Sequence, residues 1–71
     1  MDYDPAKITA YLNLCNKALR KQSKAAKGWP NPLILPEPEN KDERKALDLF
    51  TDELSDGTGG VKVTVHFQHR H

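Results

Sequence analysis

Cys15 is the only thiol of the chain, and His66, His69 and His71 are its only imidazoles. A thiolate beside an imidazole can act as nucleophile and base, and the same residue types can ligate zinc. Neither chemistry is well supported here. Cys15 falls in the middle of an apolar helical stripe, where a buried, inert thiol is the usual occupant. His69 and His71 are two residues apart, so on a strand they point the same way, while His66 points the other way. A structural zinc site needs four ligands, and neither a CxxC pair nor a second ligand pair is present. No metal and no cofactor are expected.

Two further groups invite chemical readings. Gly57-Thr58-Gly59-Gly60 has neither the lysine nor the following helix that a phosphate-binding loop requires, so it reads as a turn. Asp48, Asp52, Glu53 and Asp56 cluster along a second helix and its exit. Acid–base catalysis by paired carboxylates needs burial and separated pKa values, which nothing in this pattern provides. They read as a solvated acidic face, with an acidic docking surface as the functional version. A catalytic role for the chain is therefore not expected.

The elements that position these groups follow from periodicity and punctuation. A first helix is predicted over 5–27. Asp4 is placed to cap it, Pro5 occupies the first helical position, and Gly28 is placed to end it in a left-handed conformation. Ile8, Tyr11, Leu12, Cys15 and Leu19 recur at spacings of three and four and make one apolar stripe. Asn13, Lys17, Arg20, Lys21, Lys24 and Lys27 fall on the other side as a cationic face. Phosphate tracking is one use for such a face, and an ordinary solvated surface is the other.

Residues 28–39 form a Pro-rich loop, with four prolines between positions 30 and 38 that forbid a helix. Leu33-Ile34-Leu35 can form a short strand, which the flanking prolines restrict to a sheet edge. Trp29 is expected to act as a lid on the core. The second helix is predicted over 41–55, with Asn40 and Glu43 as a capping box and Leu47, Phe50 and Leu54 on one face. Leu49 lies off that face by about 100° or more, so it is either buried on a second side or exposed. Arg44 and Asp48 are spaced to pair.

A glycine turn over 56–60 leads into a strand over 61–67, with residues 68–71 as a frayed tail. The strand alternates without exception. Val61, Val63, Val65 and Phe67 face one way; Lys62, Thr64, His66 and Gln68 face the other. One strand cannot satisfy its own backbone groups. The credible partners within the chain are the short segment 33–35 and the first three residues, and the alternatives are a homodimer or augmentation by another protein. Lys62, Thr64 and His66 would then lie along an available edge.

The whole is expected to be a single small α+β domain, two helices on a minimal β-sheet. Its core should hold Ile8, Tyr11, Leu12, Cys15, Leu19, Trp29, Leu33, Leu35, Leu47, Phe50, Leu54, Val61, Val63, Val65 and Phe67. Seventy-one residues leave room for no more, and one cysteine excludes an internal disulfide. With no apolar leader, no run long enough to span a bilayer and a free thiol, the chain is expected to be soluble and cytoplasmic.

The net charge of +1 conceals a block pattern. Residues 1–36 carry six cations against two carboxylates, and residues 37–56 carry eight carboxylates against three cations. That asymmetry points to binding. The expected function is a non-enzymatic regulatory or adaptor protein acting on a larger protein, with the transcription or replication machinery as one setting. Direct nucleic-acid binding through the first helix is the alternative.

Overall fold

A computed structural model describes residues 2–57 and 64–69. It is an α+β arrangement in which helices pack on a small sheet, in the order α1 (Pro5–Ala26), β1 (Leu33–Pro36), α2 (Lys41–Gly57) and β2 (Val65–Gln68).

The start of α1 is built as its sequence demands. The Asp4 carboxylate accepts from the Ala6 N–H at 3.0 Å, with Pro5 at the first helical position. Its end differs from expectation. Lys27, not Gly28, takes the left-handed conformation (φ 55°, ψ 41°), while the Gly28 N–H reaches the Ser23 carbonyl at 3.2 Å. That six-to-one bond is the signature of a Schellman closure with the left-handed position shifted one residue early.

Helix α2 starts at the expected box, with the Asn40 side chain accepting from the Glu43 N–H at 2.9 Å. The return bond goes to the Glu39 N–H at 2.8 Å. The helix continues through Asp56 and Gly57, beyond the expected end at 55 and into the expected turn. Arg44 and Asp48 are both exposed, and no ion pair joins them.

The sheet has two parallel strands in the register Leu33↔Val65, Ile34↔His66, Leu35↔Phe67 and Pro36↔Gln68. The segment 33–36 is thus the partner of the C-terminal strand. Gln68 belongs to that strand and not to a frayed tail, because its carbonyl accepts from the Glu37 N–H at 3.1 Å. Residues 61–63, expected as the first half of the strand, lie outside the described residues, with Lys62, Val61 and Val63 among them.

Tyr11, Cys15, Leu33, Leu35, Ala46, Phe50 and Leu54 form the core, and Ile8, Leu12, Leu19, Leu47 and Val65 pack around it half-buried. Helix α1 lies against both α2 and β1. Two expected core residues are not in it. Trp29 is 52% exposed, and Pro30 is buried beside it. At this turn Pro30, and not the indole, is the side chain that is buried. Phe67 is 50% exposed although its in-register neighbour Leu35 is fully buried.

One buried polar group was not anticipated. Asp42, 6% exposed in the first turn of α2, accepts from the Asp4 N–H at 2.8 Å. The two helix N-termini are thereby tied together, and the carboxylate sits where the α2 dipole favours it.

Candidate functional site

The side of the sheet facing away from the core forms an open groove with α1. Strand alternation turns Leu33 and Leu35 inward, so Ile34 and Pro36 face outward and make the groove floor. Leu14, Ala18 and Ala25 approach from the helix at spacings of four and seven, with Leu14 42% exposed. Lys17 and Lys21, one turn apart, form the helical rim, while Gln68 and His69 form the opposite lip.

Gln22 fixes the helix to the sheet at this point. Its side-chain amide donates to the Ile34 carbonyl at 2.7 Å and accepts from the Ile34 N–H at 2.8 Å. The Tyr11 hydroxyl donates to the Pro36 carbonyl. On the far lip, His69 Nδ1 lies 3.2 Å from Glu37 Oε2, both groups well exposed to solvent. Such an exposed pair adds little to stability.

The predicted basic residues Asn13, Lys17, Arg20, Lys21 and Lys24 are all exposed along α1. Lys27 is exposed too, but it is the left-handed cap and leaves the helical face. On α2, Asp48, Leu49, Asp52, Glu53 and Asp56 are exposed, with Leu49 at 42%. The question of Leu49 is settled in favour of exposure. Leu49, Asp52, Glu53 and Asp56 share one outward stripe of α2, away from the groove. On the strand, Thr64 and His66 are exposed, and the Thr64 carbonyl accepts from the Leu33 N–H at 2.9 Å.

These placements restrict the chemistry. Cys15 is fully buried, and burial pushes its thiol up to about 11, the nearby Tyr11 hydroxyl only partly offsetting this. A thiol held neutral in a core is a poor nucleophile. His66 is exposed on the strand and His69 is exposed just beyond its end. Among the described residues no three His, Cys, Asp or Glu side chains are grouped to hold a metal ion. No described helix is long and apolar enough to cross a membrane.

No known protein family, curated protein or solved structure matches this chain.

Several groove residues were not singled out by their sequence pattern. Leu14, Ala18 and Ala25 make a second apolar line beside the main stripe of α1, which was visible in the period. Gln22 falls within the apolar stripe, seven residues after Cys15, and this placement of a polar side chain is its one signal in the period. Ile34 and Pro36 could be assigned to the groove only once β1 had a pairing partner.

Proposed function

We propose that this chain is a non-enzymatic adaptor or regulatory protein, and that the groove between α1 and the sheet receives an acidic, amphipathic segment of a larger protein. The observation that carries this reading is the composition of the groove. Apolar side chains from Leu14, Ala18, Ile34 and Pro36 line it, and Lys17 and Lys21 stand on its rim. Apolar contact supplies binding energy in such a groove, and lysines at the rim select the sign of the partner's charge. The burial of Cys15, the single thiol of the sequence, supports binding over thiol chemistry.

The second reading is nucleic-acid binding, favoured by the exposure of Lys17, Arg20, Lys21 and Lys24 along one helix. Its affinity would fall steeply with salt as counterions are released from each contacted phosphate.

The test is capture from lysate on the immobilised chain, with and without nuclease, comparing wild type with a Leu14→Ser, Lys17→Glu, Lys21→Glu triple variant. Retention of a protein after nuclease, lost in the variant, supports the groove. Retention that is unchanged in the variant removes it. Recovery that disappears with nuclease transfers the reading to nucleic acid.

A further inference from the structure

The two edges of the sheet are treated differently. In a parallel ladder, alternate residues turn both backbone groups toward the same neighbour. Leu33 and Glu37 donate to the Thr64 and Gln68 carbonyls, so Ile34 and Pro36 face the outer edge of β1. That edge is closed. The Gln22 amide occupies both groups of Ile34, Tyr11 occupies the Pro36 carbonyl, and proline has no N–H to offer.

The outer edge of β2 has no such cover among the described residues. Its register turns the N–H and C=O groups of Val65 and Phe67 outward. Natural edge strands are usually guarded by lysines, prolines or bulges. Residues 64–69 read Thr-Val-His-Phe-Gln-His, with no proline, no lysine and no carboxylate. Phe67 meanwhile leaves half its surface exposed on the face where Leu33 and Leu35 are buried.

From this we infer that the chain forms a two-fold dimer through antiparallel pairing of β2 with β2 of a second copy, centred on His66. The occupant follows from self-complementarity. With His66 opposite its own copy, Val65 stands opposite the second copy's Phe67, and each such pair exchanges two backbone hydrogen bonds. The outward-facing groups of both residues are then satisfied. The aromatic ring lies against a β-branched side chain, a favourable cross-strand pairing. A two-fold axis normal to the sheet keeps the buried faces of both copies on one side, so the Phe67 surface is covered from the same side as Leu35. No lysine, arginine or carboxylate within 64–69 is brought against its like.

The assembly also ends itself. The resulting order β1-β2-β2-β1 has the Gln22- and Tyr11-sealed edges on both outsides, so pairing stops at two copies. This inference does not depend on the groove or on its occupant.

The test uses the full chain. Light scattering during size-exclusion chromatography should give twice the mass of one chain, and Phe67→Lys should return it to the monomer with helical circular dichroism retained. Register is tested by cysteine placement, with native Cys15 buried in the core. Residues opposite each other across the axis in a non-hydrogen-bonded pair stand about 4.5 Å apart at Cα, within disulfide range. His66→Cys should therefore crosslink two copies on mild oxidation, whereas Gln68→Cys should not. A monomeric wild type overturns the inference and leaves the edge for a different chain. A dimer that crosslinks equally at both positions, or not at 66, overturns the register and with it the proposed pairing.

Discussion

The Gln22 side chain pairs with Ile34 as a strand would, donating to its carbonyl at 2.7 Å and accepting from its N–H at 2.8 Å. A primary amide carries N–H donors and a C=O acceptor in one plane, so it can meet an N–H and a C=O at once as a peptide unit does. A single residue of α1 thus stands in for a missing third strand. It holds the helix against β1 and closes the edge that the groove floor would otherwise expose.

Replacing that amide should be costly for its size. Gln22→Ala leaves the half-buried N–H and C=O of Ile34 without partners, an expected loss of about 1–3 kcal/mol. Urea unfolding followed by helical ellipticity would read it as a lower midpoint at unchanged slope. A change within a few tenths of a kcal/mol would mean that water replaces the amide freely, and the edge would not be sealed.

Lys27 offers the opposite opportunity. A non-glycine residue in the left-handed region (φ 55°) carries a steric cost of about 1–2 kcal/mol, partly offset in a glycine variant by a freer unfolded chain. Lys27→Gly should accordingly stabilise the fold by about 0.5–1 kcal/mol and raise the melting temperature by a few degrees. Gly28→Ala is the matched control. A Cβ there meets nothing within 4 Å, so little change is expected. Thermal melts of both variants that rank the other way would place the left-handed residue at 28.

The buried thiol makes stability fall in alkali. Burial raises the Cys15 pKa from 9.0 to about 11, so the native state holds its proton where the unfolded state has lost it. The stability tied to the neutral thiol is complete below pH 9 and is lost progressively as pH rises from 9 to about 11. The full loss is up to roughly 2–3 kcal/mol. Other groups titrate in that window, so the reading is the difference between wild type and Cys15→Ala. The variant should lose less stability between those pH values. Parallel curves would show that Cys15 does not contribute.

Local features of the chain were legible because they are decided by neighbours in sequence. The Asp4 and Asn40 caps, the Pro5 start and the apolar stripe of α1 follow from the helical period and from short side chains that reach nearby N–H groups. The same period separates the cationic face of α1 from the core, and it places Leu49 off the main stripe of α2. The α+β composition, with a proline-bounded strand at a sheet edge, follows from the same local rules.

What only the tertiary structure decided concerns groups far apart in the chain. Parallel pairing of 33–36 with 65–68 decides which β1 side chains face the groove and which strand edge stays open. Trp29 and Phe67 carry core-type side chains yet remain half exposed, because burial depends on what stands opposite and not on residue type. Gln22 meets Ile34, and Asp42 meets the Asp4 backbone across 38 positions, through geometry that no local pattern encodes. Periodicity states which face a residue occupies; the three-dimensional packing alone states what that face meets.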